Sequence, residues 1–244
     1  MLDSPQVMRN LANALFLASA LMLLYGALHY IVHLPVFPLR AVQLTEAPKM
    51  AEPMVLMRTV RSQVQGNFFT VDLETVRRAF EQVPWVRKVS VRRRFPWKLE
   101  VTIEEHVAAA HWNRSQLLNT YGEVFNAETE ELLPGFYGQP DAGAEMLKMY
   151  GVFNKQLEPL HRTVTEIGLS PRHAWMLRLD NGMAIDLGRE QMEPRLTRFI
   201  EVYPYTLAQV DGVRHVDLRY GNGFAATVPA GTGKQAGAKS GNKV

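Results

Sequence analysis

From Asn10 to Leu39 the chain runs 30 residues without an Asp, Glu, Lys or Arg, and 18 of the 22 residues from Leu11 to Val32 are apolar. A helix needs about 20 such residues to cross the hydrocarbon core of a bilayer, and a buried helix of a soluble domain would keep a polar stripe that is missing here. Residues 11–32 are therefore read as a transmembrane helix. A cleaved signal peptide has a shorter apolar region, about 7 to 15 residues, ending at small side chains. This stretch leaves instead through the bulky Tyr30-Ile31-Val32-His33-Leu34-Pro35, so the anchor is expected to stay. Residues 1–10 then form a short cytoplasmic head, residues 33–39 a linker, and the remaining chain a body outside the cytoplasm. The flanking charges, Arg9 against Asp3 before the span and Arg40 after it, carry little information about orientation. His29 and His33 stand four apart on one helix face. With Tyr25 and Tyr30 nearby they read as side chains marking the membrane interface rather than as metal ligands.

After the anchor, Pro35, Pro38, Pro48 and Pro53 enclose an alternating run, Arg40-Ala41-Val42-Gln43-Leu44, with the look of an edge strand. Met54 to Val64 is helix-forming up to the Gly66-Asn67 break. Asp72 is placed to cap a second helix that buries Leu73, Val76 and Phe80 before Pro84 stops it. Val86, Val89 and Val91 start a strand that turns at Phe95-Pro96-Trp97 and returns through Leu99, Val101 and Ile103. Strand, helix, helix, strand, strand over residues 40–107 makes a small α+β domain with both helices against one sheet face. From Ala108 the texture changes to short strands with helical stretches over Asp141–Gln156 and Met192–Tyr203, and a mixed, mainly antiparallel β domain is expected over 108–227. Its clearest element is a hairpin, Trp175–Leu179 and Met183–Leu187, around Asp180-Asn181-Gly182, where Asn181 and Gly182 can take positive φ. Val213 to Tyr220 is the last long regular segment, followed by Gly221-Asn222-Gly223 and a brief apolar run from Phe224 to Thr227. Residues 228–244, with glycines, lysines and no acid, are expected to form no fixed structure.

The sequence carries few signals of chemistry. With no cysteine in the chain, thiolate catalysis, disulfides, iron–sulfur clusters and cysteine zinc sites are excluded. Neither a Gly-x-Ser-x-Gly elbow nor a His-Glu-x-x-His helix occurs. Gly221-Asn222-Gly223-Phe224-Ala225-Ala226 follows a strand but no helix comes after it, so it reads as a turn and not as a dinucleotide site. His215 and Asp217 share a strand face without a third ligand. No reaction, cofactor or metal is expected. The formal charge of +3 invites a nucleic-acid reading, but Lys234, Lys239 and Lys243 in the tail account for all of it. The remaining basic cluster, Arg87, Lys88, Arg92, Arg93, Arg94 and Lys98, faces Glu100, Glu104 and Glu105 on the returning strand and is expected to pair across the hairpin. Arg92, Arg93 and Arg94 are retained as a docking surface for protein, not for nucleic acid.

Taken together, Phe68-Phe69, Pro84-Trp85-Val86, Val89-Ser90-Val91-Arg92-Arg93, Ala110-His111-Trp112-Asn113, Leu187-Gly188-Arg189, Arg195-Leu196-x-Arg198-Phe199, Tyr203-Pro204 and Val216-Asp217-Leu218-Arg219-Tyr220 resemble the FtsQ/DivIB bacterial cell-division family. The resemblance implies a single-pass inner-membrane protein with a periplasmic body, a POTRA domain followed by a β domain, and no catalysis. It also implies a recruiting role at the division septum and binding to FtsB and FtsL, among other divisome proteins. In relatives the last long strand exposes an edge to which the partner adds a strand, while basic residues read a partner acid. On this chain Arg219 and Tyr220 match directly, and Arg172 sits near the other basic position. Gly223 and Phe224 follow where some relatives carry a tryptophan, which is absent here. Two other readings compete: a POTRA-type transport or secretion component, whose membrane barrel the second domain is too short to form, and a membrane-anchored periplasmic enzyme.

Overall fold

In a computed structural model of the chain, described over residues 5–34, 38–39, 41–63, 67–210, 212–220 and 223–228, the apolar stretch forms helix α1, Pro5–His33, with none of its residues buried. Its 29 residues rise through about 43 Å, more than the ~30 Å of hydrocarbon that a bilayer presents. The span of 11–32 therefore lies inside a helix that begins within the head, with Pro5 at its first position, where a missing N–H costs nothing. Among the described residues it is the one helix long and apolar enough to cross a membrane. The His33 Nδ1 lies 2.8 Å from the carbonyl oxygen of His29. The described residues contain no group of three His, Cys, Asp or Glu able to hold a metal.

The chain divides into two compact units, Met1–Glu105 and His106–Val244. Beyond α1 the first contains β1 (Ala41–Leu44), α2 (Pro53–Gln63), α3 (Leu73–Glu81), β2 (Val86–Arg94) and β3 (Lys98–Glu105). The sheet order is β1-β3-β2, with β1 parallel and β2 antiparallel to β3. A parallel pair needs a crossover, and the two helices supply it. Asp72 caps α3 by accepting the Glu74 N–H at 3.0 Å. The helix buries Val76, Ala79 and Phe80, while Leu73, expected inside, is only half-buried because it lies in the first turn. Leu56, Val89, Leu99 and Val101 complete this core.

At the end of β3 the Glu105 carboxylate accepts the backbone N–H groups of Lys49, Met50 and Ala51 at 2.8, 2.9 and 2.7 Å, fastening the chain between β1 and α2. Partial burial opposes its ionisation, but the three donors outweigh that cost and hold its pKa below the usual carboxylate range. A depressed folded pKa gives stability that is present above the unfolded value and is lost as pH falls through the folded one. Glu105→Gln should therefore lower the thermal midpoint at neutral pH and flatten its fall between about pH 5 and pH 3. Parallel acid profiles of the two proteins would refute this role.

The second unit is built on one nine-stranded sheet ordered β12-β11-β10-β9-β8-β7-β4-β5-β6. Its strands are β4 (Ala108–Trp112), β5 (Gln116–Asn119), β6 (Val124–Phe125), β7 (Gly135–Tyr137), β8 (Val164–Leu169), β9 (Trp175–Leu179), β10 (Ala184–Gly188), β11 (His215–Asp217) and β12 (Ala225–Thr227). Pairing is parallel at β4/β7, β7/β8 and β10/β11 and antiparallel elsewhere. Helices α4 (Gly143–Leu157) and α5 (Met192–Val202) contribute Met146, Phe153, Leu157, Leu196 and Phe199 to a core shared with Trp112, Phe136, Ile167, Ile185 and Val216. Burial alternates along β9, with Trp175, Leu177 and Leu179 inside and Met176 and Arg178 outside, so the helices cover one sheet face and leave the other open.

Two sequence expectations change here. In the β9–β10 turn only Gly182 takes positive φ, at 82°. Asn181 instead accepts the Met183 N–H on its side-chain oxygen at 3.1 Å, a side-chain turn that leaves its own backbone in the common region. The second change concerns Val213–Tyr220, which is not one long strand with an open edge: only His215–Asp217 joins the ladder, between β10 and β12. Asp217 Oδ1 accepts the N–H of Arg219 at 3.0 Å, which draws the backbone away from strand pairing. The sheet edge at this end is therefore β12, whose three residues are all exposed. Gly221 and Asn222, and the expected tail after Val228, lie outside the described residues.

Candidate partner-binding site

Three loops and α5 converge beside this edge. Arg172, in the turn between β8 and β9, and Arg219, just past β11, line one notch of about 330 Å³ with Gly188, Arg189, Glu190 and Arg195. Each arginine has a different standing. Arg195 Nη1 donates to the Leu187 carbonyl at 2.8 Å, tying α5 to the end of β10. Arg189 pairs with its neighbour Glu190 at 3.3 Å. Arg172 is exposed and makes no ion pair among the described residues.

Arg219 is held by a charge-assisted fork: Nε lies 2.9 and 3.0 Å from the two Asp217 oxygens and Nη2 lies 2.6 Å from Oδ2. The Asp217 side chain is 11% exposed, and that of Arg219 is 60% exposed. Hydrogen bonding to Arg219 outweighs the cost of burial and holds the Asp217 carboxyl below its usual range, and the guanidinium is correspondingly raised. A guanidinium has five N–H groups. Nε and one N–H of Nη2 go to Asp217, so both N–H groups of Nη1 and one of Nη2 remain to meet an acid from outside. The carboxylate thus orients Arg219 without consuming it.

Tyr220 is 58% exposed beside this fork. Gly223 and Phe224 are half-buried where the chain enters β12. Phe224 sets its ring against Phe199 of α5, centroids 5.8 Å apart and nearly perpendicular, so it packs at the margin of the core and Tyr220 is the exposed aromatic of the site. The family resemblance singled out Arg172, Arg219 and Tyr220, and the structure places the two arginines on one notch with Tyr220 next in the chain. The resemblance did not foretell that Asp217 positions Arg219, although the spacing of two between acid and arginine on a strand face was visible.

The basic hairpin separates into distinct parts. Arg87 pairs with Glu104 at 2.6 Å and Arg94 with Glu100 at 3.2 Å, as cross-hairpin pairing predicts. Glu105 is turned to the backbone of residues 49–51 instead. Arg93 leaves the proposed docking surface: its guanidinium donates to the carbonyls of Phe68, Phe69 and Val71 at 2.9, 3.3 and 2.7 Å, because it lies on the sheet face that carries Val89 and Val91. Arg92, with Lys88 and Lys98, makes no ion pair among the described residues. His215 and Asp217 do not act as a pair, since the His215 ring nitrogen lies 3.0 Å from Asp186 Oδ2 and Asp217 belongs to Arg219.

Residues 37–106 match the family model described as POTRA domain, FtsQ-type, and residues 110–219 match that described as Cell division protein FtsQ/DivIB, C-terminal. The chain belongs to the FtsQ/DivIB family. It is 40% identical to the cell division protein FtsQ of Nitrosospira multiformis over 232 residues, covering 93% of this chain and 98% of that one. The Burkholderia pseudomallei FtsQ is 38% identical over 222 residues, 88% of this chain and 89% of its own. The Shewanella oneidensis FtsQ is 44% identical over 165 residues, 66% of this chain and 63% of its own. Membership of the FtsQ/DivIB family makes this a cell-division protein, with an FtsQ-type POTRA domain behind its apolar N-terminal helix.

Proposed function

We propose that this protein is a single-pass inner-membrane scaffold of the divisome, with its two domains in the periplasm at the septum, and that it recruits FtsB and FtsL through the β12 edge. The observation that carries the reading is the adjacency of an exposed edge strand to an arginine fork that still has donors to give. An added partner strand takes its affinity from main-chain hydrogen bonds on β12 and its register from an acidic side chain seated between Arg172 and Arg219. Tyr220 adds rigid apolar contact at low entropy cost, as tyrosine does at interface centres. No catalytic step is needed for this work.

The test is capture of a soluble FtsB/FtsL ectodomain complex by the full chain in detergent. Arg219→Glu and Tyr220→Ala should each weaken capture by about tenfold or more, the loss typical of an interface anchor. Tyr220→Ala should leave the thermal midpoint nearly unchanged, since its side chain is exposed, whereas Arg219→Glu also leaves the largely buried Asp217 without its partner and should lower the midpoint. Arg219→Lys should lose almost as much as Arg219→Glu, because one ammonium cannot serve Asp217 and a partner acid together. Undiminished capture by all three variants would overturn the site. A topology reporter fused after Val244 should be active only in the periplasm, and cytoplasmic activity would overturn the orientation.

A further inference from the structure

The β2–β3 hairpin ends in Arg92-Arg93-Arg94-Phe95-Pro96-Trp97-Lys98, which holds four cations, two aromatics and no acid. Phe95 at its tip is 81% exposed. A soluble fold gains nothing by holding a phenylalanine in water, and an exposed aromatic flanked by cations is the composition found where proteins meet lipid headgroups. Arg92 and Lys98 make no ion pair among the described residues, and the Arg94–Glu100 pair is a surface contact that a competing anion can replace.

What gives this tip a destination is its connection to the anchor. The Asn67 side-chain amide donates to the carbonyls of Val32 and Leu34 at 2.7 and 3.1 Å, at the point where α1 ends. Its side-chain oxygen accepts the N–H groups of Phe69 and Thr70, both at 2.9 Å, and so shapes the turn that follows. Arg93 holds that same turn through the carbonyls of Phe68, Phe69 and Val71. Phe95 is two residues beyond Arg93, about 7 Å along an extended chain. The exit of the membrane helix, the 67–71 turn and the hairpin tip are thus fastened in sequence at one end of the first unit.

We infer that the tip of the β2–β3 hairpin is a lipid contact: Phe95 enters the interface of the membrane that α1 crosses, and Arg92 and Lys98 bind anionic phospholipid headgroups beside it. The inference rests on α1 being a membrane span but not on which side the body occupies. Because the anchor already holds the domain at the surface, a weak contact suffices to fix the domain's tilt against the bilayer.

The absence of cysteine from the chain makes single-site labelling direct. Phe95→Cys, Ser90→Cys and Leu17→Cys are each labelled with an environment-sensitive fluorophore in the full chain, and each is placed in nanodiscs of phosphatidylcholine with or without phosphatidylglycerol. Spin-labelled lipid then reports contact by quenching. The Leu17 label must be quenched in both discs, and if it is not, the span itself fails rather than the hairpin contact. The label at 95 should be quenched in phosphatidylglycerol discs and the label at 90 should not. Arg92→Glu combined with Lys98→Glu, or salt raised to about 0.5 M, should lower the quenching at 95 by about tenfold or more. Equal quenching at 95 and 90, or quenching at 95 indifferent to phosphatidylglycerol, to the charge reversals and to salt, would overturn the inference.

Discussion

Proline placed singly at Ala225, Ala226 and Thr227 should split into two outcomes. Along an edge strand the N–H groups point alternately to the neighbouring strand and to solvent. Here the neighbour is β11, paired through His215–Thr227, Val216–Ala226 and Asp217–Ala225. Where the N–H faces outward, proline removes a donor that an incoming strand needs and puts a ring in its path, so capture of the FtsB/FtsL ectodomain should fall by about 100-fold, equivalent to roughly 3 kcal/mol. The thermal midpoint at such a position should move little, since no bond within the chain is lost. Where the N–H faces β11, the same substitution detaches β12, and both capture and the midpoint should fall. Uniform full capture across all three variants would exclude strand addition at this edge and leave the arginine notch as a side-chain contact alone. This scan has a larger expected effect than any side-chain truncation because β12 has only three paired residues, so one lost main-chain bond is a large share of the ladder.

The elements legible from sequence were those with a strong local period. The anchor announced itself by length and lack of charge, α3 by its 3–4 spacing and Asp72 cap, and β2, β3, β9 and β10 by alternation. What could not be read was non-local. The order of the nine-stranded sheet depends on parallel pairings, β4 with β7 and β7 with β8, that bring together segments of three to six residues too short to declare their partners. Nor could alternation show where a strand stops: His215–Tyr220 alternates to its end, yet the side chain of Asp217 takes the Arg219 N–H and the ladder stops at Asp217. The same bond decided the site. Arg219 was legible through its place in a family pattern, but its orientation comes from a carboxylate two residues back on the same face, and that is a property of the folded backbone. Arg93 illustrates the converse, because a run of three arginines looks uniform in sequence, while the pleat sends its middle member across the core face to the carbonyls of residues 68–71.

Asn119→Ala should be the most damaging single polar truncation in the second unit, and its consequence separates fold from site. Asn119 is fully buried. Its side-chain oxygen accepts the N–H groups of Tyr121 and Glu123 at 2.9 and 2.8 Å, and its amide nitrogen lies 2.7 Å from the Glu123 carboxylate and 2.9 Å from His106. Alanine would remove this hub and strip its hydrogen bonds from a loop packed without slack. In that loop Gly122, at φ 81°, lies so close to α4 that a Cβ there would come within 2.4 Å of Ala144 Cα. Stripping several bonds from a buried turn costs about 3 kcal/mol or more, which for a unit of this size is a fall of about 10 °C in the thermal midpoint. Asn119 ends β5, one strand from the β6 edge, whereas the proposed binding edge is β12 at the opposite end of the sheet order. Well below the lowered midpoint, capture of the FtsB/FtsL ectodomain by Asn119→Ala should therefore match that of the unaltered chain, whereas Tyr220→Ala, at an exposed side chain, should show the reverse, an unchanged midpoint and weakened capture. If Asn119→Ala lost capture at a temperature where its circular dichroism is native, the sheet would be transmitting strain from one edge to the other, and the arginine notch could no longer be treated as a site built only by the β8–β9 turn, β10, β11 and α5.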